Sequence, residues 1–267
     1  MNRLQKIFAH RRPALVIFDS CGAPTLTESE ERLETIVANG ADIVELGVPF
    51  SDPMADGPAI QRASLQALKN GTTLKHVIGM AERLRKKHPE TGIIFFGYFN
   101  VFLQYGLEKL TAELERIGAD GMLVVDLPYE EREELRPLCV EHNLSLIPLV
   151  APGTDAERAR MIPRDATGFV SCVTARGVTG ERTELPPELS GRLEELKKLS
   201  PIPVAAGFGI NGPARAAEVA KHADAVVVAK EKPKLRKSLQ KDLRKKNRLL
   251  TMKLQKTSFE FHERIWF

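Results

Sequence analysis

Residues 41–61 read ADIVELGVPFSDPMADGPAIQ, and the change of pattern inside this stretch decides the fold. Ile43-Val44-Glu45-Leu46 is a short apolar, β-branched run, as in a strand covered on both faces. A loop stiffened by Pro49 and Pro53 follows, and Pro58 then opens a helix predicted over 58–70, because proline suits the first helical position. A buried strand that leads through a loop into a helix is half of a βαβ unit, the building block of parallel sheets.

Working outward from this unit, the same alternation recurs along the first 229 residues. Eight strands are predicted, over 14–18, 42–46, 92–96, 121–125, 145–149, 168–172, 203–206 and 225–228. The helices between them carry familiar punctuation. Thr27-Glu28-Ser29-Glu30 has capping-box spacing ahead of 32–38, Asn39-Gly40 supplies a C-terminal stop, and Gly71-Thr72 separates the helix over 58–70 from one running to about His88. Eight such units fit a (β/α)8 TIM barrel better than an open doubly wound sheet. The absence of an early G-x-G-x-x-G removes the dinucleotide-binding reading.

In such barrels chemistry sits at the C-terminal ends of the strands and in the loops that follow. Glu45 ends the second predicted strand, Asp56 lies in the next loop, and Tyr98 and Asn100 follow the third strand. Asp126 follows the fourth, and Thr179-Gly180 fall in the long loop after the sixth. A glutamate inside an apolar strand is costly unless its charge is used or paired. Glu45 is therefore a candidate acid or base, the plainer alternative being half of a buried ion pair with an Arg or Lys. Asp56 is its candidate partner, and Asp-Gly-Pro is also ordinary turn chemistry. Gly207-Phe208-Gly209-Ile210, ahead of Asn211-Gly212-Pro213, suits half of a phosphate cradle built from backbone N–H groups, or equally an ordinary turn.

Composition narrows the function classes. The net charge of +4 hides an asymmetry: residues 230–267 hold 13 Lys/Arg against 4 Asp/Glu, a balance of +9, which leaves −5 for residues 1–229. The basic pI therefore describes the tail, and nucleic-acid binding is not expected of the barrel. No apolar run reaches the roughly 20 residues of a membrane span, and residues 1–12 form a short basic amphipathic segment without a signal peptide's apolar core, so a cytoplasmic location is expected. Cys21, Cys139 and Cys172 are far apart and lack C-x-x-C spacing, which predicts reduced thiols and no metal site.

The stretch that begins at Glu45 resembles the signature of the tryptophan synthase alpha subunit family, E-L-G-x-P-F-S-D-P-x-A-D-G-P-x-I-Q. The resemblance continues in Gly97-Tyr98-Phe99-Asn100, Gln104-Tyr105-Gly106, Asp126-Leu127-Pro128, Gly177-Val178-Thr179-Gly180 and Gly207-Phe208-Gly209-Ile210. It covers roughly residues 1–229 and implies the same barrel. It also implies an aldol-type cleavage of indole-3-glycerol phosphate to indole and glyceraldehyde 3-phosphate. By that resemblance Asp56 faces the indole nitrogen, and Glu45 shuttles protons near indole C3 and the side-chain hydroxyl. Phe18, Tyr98 and Phe208 flank the indole ring, and Thr179, Gly180 and Gly209 belong to the substrate site. Asp52 meets a beta subunit in an alpha2-beta2 assembly that receives indole through a tunnel. No metal or organic cofactor is implied in this chain, pyridoxal phosphate being expected in the beta subunit.

Several positions depart from the family pattern. Ile17-Phe18-Asp19-Ser20-Cys21-Gly22-Ala23-Pro24 stands where F-x-T-A-G-D-P is usual, so Ala23 replaces an aspartate. Ser171 stands where tyrosine is common, and Thr174-Ala175-Arg176 replaces Ser-Arg-Ser/Thr. After the eighth predicted strand the family's Gly-Ser-Ala, which completes the phosphate cradle, is Ala229-Lys230-Glu231, and the basic tail 230–267 follows in place of an apolar last helix. Three readings of the tail compete: a shifted reading frame, a replacement helix with Leu235, Leu239 and Leu243 on one face, and a nucleic-acid or anionic-membrane appendage. A function of another class also stays open, a catalytically impaired barrel that binds and activates a beta subunit.

Overall fold

The computed structural model describes residues 1–10, 12–173, 188–207, 210 and 213–229. Among these, every strand belongs to one all-parallel sheet. The strands are β1 (Ala14–Ser20), β2 (Ile43–Gly47), β3 (Gly92–Gly97), β4 (Gly121–Val124), β5 (Ser145–Leu146), β6 (Leu149–Val150), β7 (Val170–Val173), β8 (Val204–Gly207) and β9 (Ala225–Ala229). Their spatial order is β5-β4-β3-β2-β1-β9-β8-β7-β6. The two ends of that order are the two halves of one extended segment. Ile147 donates its N–H to Met122 at 2.8 Å on one side, and Pro148 accepts from Ser171 N–H at 2.9 Å on the other, so the sheet closes into an eight-stranded barrel.

The strands bury both faces, which explains their unbroken apolar runs. Alternate residues Ala14, Val16, Phe18, Ile43, Ile94, Phe96, Leu123, Phe169, Ala205, Ala225 and Val227 fill the barrel interior. Their neighbours Ile17, Val44, Leu46, Ile93, Phe95, Met122 and Val204 pack outward against the helices. Helices α2 (Leu26–Ala38), α3 (Pro58–Lys69), α4 (Leu74–Lys87), α6 (Leu107–Arg116) and α9 (Leu189–Leu199) run between strands. In α2, α4, α6 and α9 the stripes Leu33/Ile36, Val77/Ile78/Ala81/Leu84, Leu110/Leu114 and Leu193/Leu196 form the outer core. The shorter α5 (Phe99–Tyr105), α7 (Arg136–Glu141), α8 (Ala156–Met161) and α10 (Pro213–Val219) complete the ring.

The basic amphipathic N-terminus has a structural use. Helix α1 (Arg3–Phe8) puts Leu4 and Ile7 into the N-terminal end of the barrel, and Phe8 packs on Phe169 with ring centroids 5.7 Å apart. A Cβ on Gly92 would come within 3.2 Å of Leu4, so glycine there lets the plug sit deep. Arg3 and Arg85 both pair with the buried Asp120, which also accepts from Ile93 N–H at 2.8 Å. The N-terminal end is thus sealed, and only the opposite end is left for chemistry.

Two expectations need correction. The fifth strand is not continuous over 145–149, because Pro148 has no N–H to offer a ladder, and pairing passes there from one neighbour to the other. The cap of α2 is Thr25 rather than Thr27: Thr25 Oγ1 accepts from Glu28 N–H at 3.2 Å. Starting there lets Leu26 pack on the outer core and brings the buried Ser29 to Asp19. The remaining strand limits agree to within a residue or two. Strand β7 starts at Val170 because Gly168, with φ +80, is left-handed.

Candidate active site

Glu45 lies on the inward face of β2, two residues beyond Ile43, and is 2 % exposed. Among the described residues no Arg or Lys pairs with Glu45, so the ion-pair alternative finds no support there. Its Oε1 is buried with no hydrogen-bond partner, and burial alone pushes its carboxyl up to about 8. Near neutral pH Glu45 therefore carries its proton, a state an aqueous glutamate reaches only in acid.

Asp56 sits in the loop between β2 and α3, and that loop is held from several sides. Ser64 of α3 clamps Phe50, its Oγ accepting from Phe50 N–H and donating to Phe50 O, both at 2.8 Å. Gln61 donates to Asp56 O at 2.9 Å. Tyr98, at the start of α5, donates its hydroxyl to Asp56 Oδ2 at 2.9 Å and accepts from Ala55 N–H at 3.0 Å. The Phe50 ring stacks on Tyr98 with centroids 5.0 Å apart. Burial raises Asp56 to about 6, against the lowering effect of the Tyr98 bond. Tyr98 itself is held well above its ordinary range, by burial first and then by the Asp56 charge, so it stays a donor. Asp56 is a fixed carboxylate at neutral pH rather than only a turn residue.

A narrow cleft opens at this end of the barrel, lined by Phe18, Gly47, Pro49, Asp56, Phe96 and Tyr98 among others. Phe18 and Phe96 meet edge to face with centroids 4.8 Å apart. A Cβ on Gly47 would fall 2.7 Å from the Phe18 ring, so that ring occupies the space one layer nearer the mouth than Glu45. Asp56 is on the cleft wall, Glu45 is buried two residues before the cleft-lining Gly47 on β2, and no hydrogen bond joins the two carboxyls. Phe18 and Tyr98 both line this cleft. Asp52 is exposed on the same loop and accepts from the Ser51 hydroxyl.

Thr179, Gly180, Phe208 and Gly209 lie outside the described residues, as do Thr174-Ala175-Arg176, Lys230, Glu231 and the rest of the tail. Ser171 is buried in β7 between Leu149 and Ala205. All three cysteines are buried, and burial pushes Cys139 to about 12, Cys172 to about 11 and Cys21 well up, as inert thiols require. Among the described residues no cluster of three or more His, Cys, Asp or Glu side chains could hold a metal ion, and no helix is long and apolar enough to cross a membrane.

Asp19, assigned no role from sequence, has a definite one. It is 1 % exposed on β1 and forms a two-pronged pair with Arg32 of α2, at 2.6 and 2.7 Å. Arg32 also donates to Ala23 O at 2.8 Å, so the pair shapes the loop in which Ala23 replaces the usual aspartate. Ser64 and Gln61 were likewise missed. The available signal for Ser64 was a small polar residue on the inner stripe of the helix after the loop.

The family model described as tryptophan synthase alpha chain matches residues 4–263, and so extends past residue 229. The tryptophan synthase alpha chain of Geobacter sulfurreducens is 43 % identical over 232 residues, 85 % of this chain and 88 % of that one. That of Roseiflexus sp. is 43 % identical over 233 residues, 86 % of this chain and 89 % of its own. A solved structure of Mycobacterium tuberculosis tryptophan synthase superimposes with a TM-score of 0.77 at 33 % identity, covering 85 % of this chain and 86 % of that one. The tryptophan synthase alpha chain of Legionella pneumophila gives 0.77 at 35 % identity, covering 86 % and 85 %. An acid kept protonated in the barrel, a carboxylate fixed on the cleft wall and likeness along most of the sequence lead to one conclusion: this chain belongs to the tryptophan synthase alpha chain family.

Proposed function

We propose that this chain is a carbon–carbon lyase that cleaves indole-3-glycerol phosphate to indole and glyceraldehyde 3-phosphate. The observation that carries this reading is the split between two carboxyl groups, Glu45 raised to about 8 and Asp56 to about 6. Between those values Glu45 is an acid and Asp56 a base. Glu45 gives its proton to indole C3 while Asp56 takes the proton of the indole N–H, which it returns to that nitrogen as the bond to C3 breaks. The side-chain hydroxyl then yields its proton to the Glu45 carboxylate as the bond to C3 breaks, which returns Glu45 to its starting state. Phe18 and Tyr98 flank the flat ring in the cleft, and Thr179, Gly180, Phe208 and Gly209 serve the substrate. The reaction as written draws on no cofactor in this chain.

The family likeness further supports a cytoplasmic protein that works with a beta subunit, met partly through Asp52, in an alpha2-beta2 assembly whose pyridoxal phosphate resides in the beta subunit. Nothing among the described residues favours an impaired barrel that serves only as an activating module. The test is indole release by the purified full chain. Glu45→Gln keeps the shape but exchanges no proton, so the rate should fall about 10²- to 10⁴-fold with the circular dichroism spectrum unchanged. The parent's kcat/KM should rise through pH 6 and decline through pH 8 as Asp56 ionises and Glu45 loses its proton. A Glu45→Gln rate within about threefold of the parent sinks the assignment.

A further inference from the structure

Asp126 belongs to a different loop from Asp56, yet the two are linked through two hydrogen bonds and the single peptide bond between Tyr98 and Phe99. Asp126, exposed in the loop after β4, accepts from Phe99 N–H through Oδ1 at 2.8 Å. Phe99 is the first residue of α5, and this N–H has no partner within the helix. Tyr98 is the N-cap residue of that helix, and its own side chain makes no capping bond because it is turned to Asp56 and Ala55. The usual capping function is therefore supplied from the neighbouring βα unit, and β4 is tied to β3 just below by Val125 N–H to Gly97 O at 3.0 Å.

We propose that Asp126 is a positioning residue for the lyase reaction: by capping α5 from outside, it fixes the backbone of Tyr98 and so aims the Tyr98 hydroxyl that holds Asp56. The inference rests on the reading of Asp56 as the base. Loss of the cap loosens the first turn of a seven-residue helix, and Tyr98 is carried with it. A slackened Tyr98 bond frees Asp56 to rotate away from the indole nitrogen. Burial then raises its carboxyl further, since the Tyr98 bond is the contribution that lowers it. The carboxylates acting on Tyr98 are Asp56 and Asp126, and no charged neighbour figures in the shift of Asp56.

Five variants of the full chain decide the matter. Asp126→Ala should lower kcat about tenfold with KM changed less, and move the acid limb of the pH profile up by about half a unit or more. Asp126→Asn, whose amide oxygen still accepts from Phe99 N–H, should recover most of the loss. Titration of the Asp56 carboxyl carbon by NMR, which needs no turnover, should show the same upward shift in Asp126→Ala and in Tyr98→Phe. The double variant should add little to either single change, because both act on one bond. An Asp126→Ala protein with parental kcat and an unshifted Asp56 titration overturns the positioning role, as does full additivity in the double variant. Asp56→Asn separates this from failure of the underlying reading: if it too turns over like the parent, Asp56 is not the base.

Discussion

Glu45 shows how a single residue trades stability for chemistry. Its ordinary value is near 4.5 and the folded chain raises it to about 8, so the folded state holds a proton that the unfolded state has lost over that range. Below pH 4.5 the group is neutral in both states and costs nothing. As pH rises towards 8 the unfolded chain gains from ionising and the folded chain does not, so stability falls throughout this window and then levels off. The contribution is about 3 kcal/mol by pH 7. Glu45→Gln should therefore be more stable than the parent at pH 7 by up to about that amount, and the two should converge near pH 4.5. Urea denaturation at the two pH values measures this, and equal gaps at both would mean that burial of the charge is not the cause.

At the scale of elements, the loop between β2 and α3 is the part that turns a barrel into a site. Proline limits its conformations, Ser64 anchors its start, and Gln61 and Tyr98 anchor its end. Ser64→Ala would leave the Phe50 N–H and C=O without their partner, at a cost of about 1–3 kcal/mol. Lyase kcat/KM should drop with it, because Asp56 hangs from the same loop; thermal melts paired with initial rates test both statements. Much of this was legible in the sequence for a physical reason. A charge in an apolar strand cannot hide, and a period that switches from strand to helix eight times leaves few architectures. Hydrogen bonds across loops were not legible. Tyr98 could be read as an aromatic wall, but nothing in the order of residues shows that its hydroxyl reaches Asp56, 42 positions earlier. Asp19 and Arg32 pair for the same spatial reason, with strand and helix bringing together residues 13 apart.

For the whole molecule, the barrel has a blind end and a working end. Helix α1 plugs the first with Leu4, Ile7 and Phe8 over a floor tied by Asp120, and the cleft with Asp56 opens at the second. A cylinder of strands gives way first where its ladder is shortest. Strands β1 and β2 share five paired positions, whereas each half of the segment 145–150 contributes only two, as few as β8 and β9 share, and is itself only two residues long with Pro148 between the halves. The wall should therefore breathe along that join, on the side between β4 and β7. Native-state deuterium uptake would reveal it: amides of Leu146 and Ile147 should exchange through small openings well below the global unfolding free energy, while those of Val16 and Val44 should exchange only when the entire cylinder comes apart.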